Sequence, residues 1–189
     1  MNRKWTTLLL AGALVLAASA LQADERSRDK NVLTAQLKPT NEVPALSSVA
    51  NGKFRAVVNE ANQTISYEVS YEGLEGKVIQ SHIHIGQPGV NGGVSVFLCA
   101  NPPAGSPAGF PVPPLCPTSP ATVTGVLTPA NIIGPNAQGV APSTATSNEW
   151  AELVRAIRNR VTYANVHTDK FPAGEIRGAV RVGGDRDDD

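Results

Sequence analysis

Three histidines carry the residue types and the spacing in this sequence that could do chemistry. His82 and His84 are separated by a single isoleucine, and His167 follows far along the chain. In a β-strand, side chains two residues apart point to the same face of the sheet, with their Cα atoms roughly 6.5–7 Å apart. Three neutral imidazoles suit copper or zinc, and they leave a fourth coordination position open to water or substrate. The pattern therefore predicts one copper or zinc ion held by these three side chains.

Two acidic residues near the third histidine extend this hypothesis, and a metal-free interpretation competes with it. Asp169 and Glu175 are the nearest candidates for an extra metal ligand or for an outer carboxylate that orients an imidazole. In the metal-free interpretation, the histidines form hydrogen bonds with loop backbone and lock the strand ends together. The metal hypothesis requires strand pairing to bring His167 close to His82 and His84.

The elements that must position the histidines are short strands. Segments of alternating apolar and polar residues, separated by turns rich in glycine and proline, predict antiparallel strands with one buried face. These segments are residues 32–37, 52–58, 64–71, 78–85, 94–98, 122–127, 161–168 and 175–182. One further segment has a helical period, with Trp150, Leu153, Val154 and Ile157 on a single stripe. The patterns together predict an all-β, antiparallel sandwich or barrel with one short helix covering an open end of a sheet.

Cys99 and Cys116 are the only cysteines, and they bracket a loop crowded with proline. In an oxidising compartment, an even pair of cysteines flanking a loop is typical of a structural disulfide. A pair of thiolate metal ligands is the alternative. The two residues lack the CxxC spacing of such ligands, and no histidine is close to them in the sequence.

The first 23 residues are typical of a secretory signal peptide. Arg3 and Lys4 precede an apolar run that is too short to span a bilayer comfortably, and small residues suited to cleavage follow it. Cleavage would leave 14 basic and 16 acidic side chains, a net charge of −2 that offers no broad surface for nucleic acid. We therefore expect a secreted or periplasmic protein with no nucleic-acid partner and no membrane span after signal removal. Residues 183–189 are predicted to be a disordered acidic tail.

Several motifs in combination resemble the CHRD domain, a family named for the developmental regulator chordin and widespread in bacterial exported proteins. The motifs are NEVP at Asn41–Pro44, SHIHIG at Ser81–Gly86, NVHT at Asn165–Thr168 and PAGEIRG at Pro172–Gly178. The resemblance covers residues 31–182. It implies an immunoglobulin-like sandwich or barrel, akin to that of the copper-zinc superoxide dismutases, and it implies no assigned reaction.

These observations predict an exported binding module for an unknown protein or small ligand, with a copper or zinc site at one end. We assign no catalytic residue and no organic cofactor. One alternative is a mononuclear copper enzyme that acts on superoxide or a related small oxidant, although the dismutases use more histidines than this chain has. A second alternative is a metal-free adhesive domain that uses its glycine- and proline-rich loops as the contact surface.

Overall fold

The structure is a computed structural model, and it describes residues 30–144 and 147–183. The predicted signal peptide and residues 184–189 of the predicted tail lie outside these ranges. Within them, nine β-strands form two antiparallel sheets. The strands are β1 (Val32–Leu37), β2 (Asn51–Asn59), β3 (Thr64–Glu72), β4 (Val78–Ile85), β5 (Gly93–Ala100), β6 (Ala121–Leu127), β7 (Thr162–Thr168), β8 (Ile176–Ala179) and β9 (Arg181–Val182). The helix α1 (Trp150–Arg158) lies between β6 and β7.

The first sheet has the strand order β6-β3-β2-β1-β9, and one of its faces is exposed to solvent. Along β2, buried and exposed residues alternate without a break, and Phe54, Ala56 and Val58 point into the core. β3 alternates in the same way, with Ile65 and Val69 fully buried. A half-buried strand needs this period of two, because successive side chains leave opposite faces of the sheet.

The second sheet has the order β5-β4-β7-β8 and is covered on both faces. All seven residues of β7 are buried, and so are the last five residues of β4. Its inner face packs against the first sheet through apolar side chains such as Ile83 and Val166. The predicted all-β antiparallel sandwich with one covering helix is therefore confirmed. The burial of the outer face of the second sheet is the feature that matters for the histidines.

The prediction of one continuous strand over residues 175–182 is wrong, because this segment is divided between the two sheets. β8 pairs with β7 in the second sheet, whereas β9 pairs with β1 in the first. Val180 lies at the crossover, fully buried, and its N–H donates to the carbonyl of Thr162. Ile176 and Val180 are both fully buried, so every second residue points into the core on both sides of the crossover. The alternation in the sequence therefore gives no sign of the division.

Helix α1 buries the predicted stripe of Trp150, Leu153, Val154 and Ile157 in the common core. An amphipathic helix this short gains most of its stability from such packing rather than from its intrinsic propensity. On its exposed side, Arg158 forms an ion pair with Glu60 at the β2–β3 turn. No helix among the described residues has the length and apolar character needed to cross a membrane.

A disulfide joins Cys99 and Cys116, as the sequence predicts, and both residues are buried. It closes the proline-rich loop between β5 and β6, where Asn101 also accepts the N–H of Cys116. Its sequence separation of 17 residues restricts the unfolded chain appreciably.

Removing the disulfide is expected to lower the free energy of unfolding by about 3 kcal/mol, because the loop-closure entropy returns to the unfolded chain. Urea unfolding of the oxidised protein and of the Cys99→Ala/Cys116→Ala variant measures this difference. Reducing agent should shift the urea midpoint of the wild type and leave the midpoint of the variant where it is. An unchanged wild-type midpoint under reduction would contradict a stabilising role.

Candidate metal centre

The three histidines meet on the outer face of the second sheet. His82 and His84 project from β4, an inner strand, with Ile83 directed to the opposite, apolar side. β7 pairs antiparallel with β4, so that His82 lies opposite Asn165 and Gln80 lies opposite His167. The pairing places the third imidazole diagonally beside the first, although 85 residues of chain separate them. The spatial convergence on which the metal hypothesis depends is therefore present.

The separations between ring nitrogens fit a single ion. One nitrogen from each histidine can be chosen so that all three lie within 4.8 Å of one another. The closest pair is His82 Nδ1 and His167 Nε2, at 3.2 Å. Two ligands at the usual Zn–N distance of roughly 2.0–2.1 Å, separated by a tetrahedral angle, lie about 3.3 Å apart. The observed spacing needs only small side-chain adjustments to become a coordination shell.

Hydrogen bonds to backbone carbonyls determine which nitrogen is available on two of the rings. His84 Nδ1 lies 2.9 Å from the carbonyl oxygen of Gly92, and His167 Nδ1 lies 2.9 Å from that of Pro172. A carbonyl oxygen only accepts, so each Nδ1 carries the proton and each Nε2 keeps its lone pair. Metal-binding histidines are usually oriented by a hydrogen bond of this kind. The carbonyls of Gly92 and Pro172 thus prepare His84 and His167 as Nε2 donors.

Several polar atoms on this face are buried without a hydrogen-bond partner among the described residues. They are His82 Nε2, His84 Nε2 and the side-chain oxygen of Asn165. Buried polar groups in folded proteins are nearly always paired, and each exception points to a ligand, an ion or a water. These three atoms lie together around the imidazoles, where Asn165 is close enough to His84 to oppose the lowering of its pKa, while the other such atoms belong to Glu42, Ser95, Ser119 and Thr162.

Burial keeps the imidazoles neutral over a wide range of pH. The rings of His82, His84 and His167 belong to residues that are 2%, 7% and 6% exposed. Desolvation, together with the neighbouring His167 and His84, lowers the pKa of His82 to about 2. Burial likewise lowers the pKa of His84 to about 4 and lowers that of His167. Only neutral imidazole binds a metal, so the donors are ready at neutral pH.

A stack of three side chains holds His84 from the side. The ring of Tyr163 lies parallel to that of His84, with centroids 4.6 Å apart. The guanidinium carbon of Arg177 lies 3.4 Å from the centroid of Tyr163. Because β7 lies between β4 and β8, the tyrosine separates the arginine from the histidine. Such a stack fixes the plane of the imidazole while its Nδ1 is held by Gly92.

Arg177 also holds the β4–β5 loop (residues 86–92) over the site. Its guanidinium donates to the carbonyl of Val90 at 2.6 Å and to the side-chain oxygen of Asn91 at 3.0 Å. The same loop supplies the Gly92 carbonyl for His84, and the Gly92 N–H donates to the Tyr163 hydroxyl at 3.2 Å. Gly92 can hardly be replaced, because an added Cβ would lie 1.6 Å from the carbonyl oxygen of Ile85.

Neither predicted carboxylate joins the three imidazoles. The group of mutually close ligand atoms contains only the histidines among the described residues. Asp169 accepts the N–H of Lys77, and Glu175 accepts hydrogen bonds from Ser48, Glu75 and Thr168. The outer positions that we expected Asp169 or Glu175 to fill are taken by backbone carbonyls, because the turns after β4 and β7 fold back over the rings.

Sequence reasoning did not assign Tyr163, Arg177 or Glu42 to the site. The sequence could have identified Tyr163, since strand alternation places it on the same face of β7 as Asn165 and His167. Arg177 and Glu42 lie in the PAGEIRG and NEVP motifs, but nothing in those motifs places either residue near the histidines, because their neighbours belong to loops far away in the chain. Glu42 is 6% exposed, and one of its carboxylate oxygens has no hydrogen-bond partner among the described residues. Burial raises the pKa of Glu42 to about 7, although the charge of Arg177 opposes the shift.

Glu42→Gln is expected to stabilise the protein much more at pH 8 than at pH 5. A carboxyl whose folded pKa is raised contributes stability below its ordinary value of 4.5, and that stability is lost as the pH rises through about 7. The amide has the same shape and stays neutral, so its advantage at pH 8 is up to about 3 kcal/mol. Urea unfolding of both proteins at the two pH values measures it. A difference that is the same at both would contradict the raised pKa.

A comparison with protein families identifies the chain. The model of the CHRD domain matches residues 33–180. This chain belongs to the CHRD family. The resemblance read from the sequence motifs is confirmed, and the match runs from β1 to the crossover before β9, so the CHRD domain includes all three histidines. Comparison with curated proteins and with solved structures gave no match.

Proposed function

We propose that this CHRD domain is an exported binding module that holds one copper or zinc ion between His82, His84 and His167. The convergence of three buried, neutral imidazoles carries the proposal. His84 and His167 keep Nε2 lone pairs, and His82 offers Nδ1 at 3.2 Å from one of them. Three nitrogen donors with an open fourth position suit either metal.

The unpaired nitrogens favour a metal over a purely structural role for the histidines. If the imidazoles only locked the strand ends together, their polar atoms would be expected to be satisfied by protein groups. His84 forms such a bond on one side through Gly92, and His167 has partners on both sides, the carbonyl of Pro172 and His82 Nδ1 at 3.2 Å. The buried Nε2 atoms of His82 and His84 have no partner among the described residues, and an ion would supply one for His84.

The depth of the site favours binding over turnover. The three histidines are each at least nine-tenths buried, and the β4–β5 loop is held over them by Arg177. A substrate would have to displace that loop to reach an ion, whereas a bound ion needs no exchange with solvent. A binding module therefore fits this geometry better than a mononuclear copper enzyme. The molecular partner of the module is an unknown protein or small ligand.

A secreted or periplasmic location completes the proposal. The Cys99–Cys116 disulfide supports it, since disulfides persist in oxidising compartments and are rare in the cytosol. The signal-like composition of residues 1–23 supports it independently. Edman sequencing or intact-mass measurement of protein exported by its host cell would test the location. Recovery of a chain that still carries residues 1–23 would contradict cleavage.

Metal titration of the mature protein, made without a histidine tag, tests the function. The protein is stripped with a chelator and titrated with Zn²⁺ or, without oxygen, with Cu⁺, while bound metal and melting temperature are measured. We expect one ion per chain and a rise in melting temperature with free metal, because ligand that binds only the folded state stabilises it. Bound metal no higher than for a histidine-free control protein would refute the proposal.

A further inference from the structure

The candidate metal centre contains no negative charge of its own. Its three donors are neutral imidazoles, and no carboxylate belongs to the group of mutually close ligand atoms in residues 30–144 and 147–183. The second partners of His84 and His167 are backbone carbonyls, not carboxylates. An ion bound here would therefore keep its full charge in a site where each ligand residue is 7% exposed or less.

The charged side chain closest to the rings along the Tyr163 stack is a buried cation. Arg177 is 3% exposed, and only the ring of Tyr163 separates its guanidinium from the imidazole of His84. Arg177 donates to neutral oxygens of Val90, Asn91 and Gln87, which accept hydrogen bonds without neutralising its charge. The positive charge of Arg177 therefore lies beside the site without an acidic partner among these contacts.

We propose that the tri-histidine site selects a monovalent ion with a filled d shell, copper(I), over divalent ions such as Zn²⁺. The inference rests on the proposed function and names the charge of the ion that it binds. The cost of burying an ion rises with the square of its charge, and its repulsion by Arg177 rises in proportion to that charge. Both effects disfavour a divalent ion, and imidazole nitrogen suits copper and zinc alike, so charge is the property that distinguishes them here.

Other titratable groups surround the stack, and the test has to leave them unchanged. Tyr163 is a neutral phenol whose pKa is raised by burial. Glu42 is the one nearby acid that interacts with Arg177, and its raised pKa leaves it mostly protonated at pH 6. Glu175 is held by the Ser48 hydroxyl, the Glu75 N–H and the Thr168 hydroxyl, none of which changes when Arg177 is replaced. At pH 6, a comparison between variants that differ only at position 177 therefore isolates the effect of the charge there.

The test compares Arg177→Lys with Arg177→Met, because the two side chains have similar length and differ in charge. Both variants lose the guanidinium, but lysine keeps N–H donors that methionine lacks. A change in positioning would affect both ions alike, so the ratio of the two affinity changes reports charge. Each is titrated in chloride-free nitrate buffer at pH 6 with silver(I) nitrate, a redox-inert monovalent probe, and with zinc nitrate. From lysine to methionine, we expect the Zn²⁺ affinity to rise about 100-fold and the Ag⁺ affinity about tenfold, since Coulomb energy is proportional to ionic charge.

The outcomes separate this inference from the proposed function. A rise for Zn²⁺ whose logarithm is about twice that for Ag⁺ supports charge selection. Equal changes for the two ions, or no change, would overturn it while leaving the metal site intact. Wild-type protein that binds Zn²⁺ and not Ag⁺ would also overturn it and keep the site. If neither ion binds the wild type, the proposed function fails and the inference with it.

Discussion

Replacing His84 with alanine is expected to lower the affinity for copper or zinc by at least about 100-fold. His84 presents an Nε2 lone pair that is buried and unpaired, and its ring is held by Tyr163 and by the carbonyl of Gly92. Loss of groups that merely orient a ligand costs roughly 10–100-fold in metal affinity, so loss of the ligand itself costs more. His167→Ala should have an equal effect, because His167 also offers an oriented Nε2.

Competition with a chromophoric chelator measures these affinities, and Asp169→Asn provides the matched control. Asp169 lies two residues from His167, but its carboxylate is exposed and accepts the N–H of Lys77. The asparagine variant should therefore bind metal within about threefold of the wild type. Far-ultraviolet circular dichroism establishes that each variant is folded. Unchanged metal affinity in a folded His84→Ala protein would remove the tri-histidine site from consideration.

Replacing Glu175 with alanine is expected to lower the free energy of unfolding by about 3–5 kcal/mol. Glu175 is fully buried and accepts hydrogen bonds from the Ser48 hydroxyl, the Glu75 N–H and the Thr168 hydroxyl. Hydrogen bonds to a charged acceptor are worth more than neutral ones, and removing it leaves three donors without their partner. Through these contacts Glu175 ties the segment before β2 and the β3–β4 connection to the end of β7.

Chemical unfolding of Glu175→Ala, with Glu72→Ala as the control, measures this contribution. Glu72 is exposed at the end of β3, so its removal should change stability by less than about 0.5 kcal/mol. A second variant, Glu175→Gln, keeps the shape and one acceptor oxygen and should fall between the wild type and the alanine variant. Equal stability of Glu175→Ala and Glu72→Ala would show that the buried carboxylate is not a structural tie.

The local architecture could be derived from the sequence because its signals are local. A period of two along β2 and β3 and the helical stripe of α1 follow from side-chain direction, which each segment determines by itself. The same reasoning placed His82 and His84 on one face of β4. The disulfide also followed, since Cys99 and Cys116 have only each other as partners.

The tertiary structure decided everything that depends on which strands pair and where the loops fold. The β4–β7 register brought His167 beside His82, and folded-back turns supplied the carbonyls of Gly92 and Pro172 in place of the expected carboxylates. The tertiary structure also buried Arg177 beside Tyr163 and divided the last predicted strand between two sheets. Such contacts join residues far apart in the chain, and their energies depend on burial, which a linear pattern of residue types does not contain.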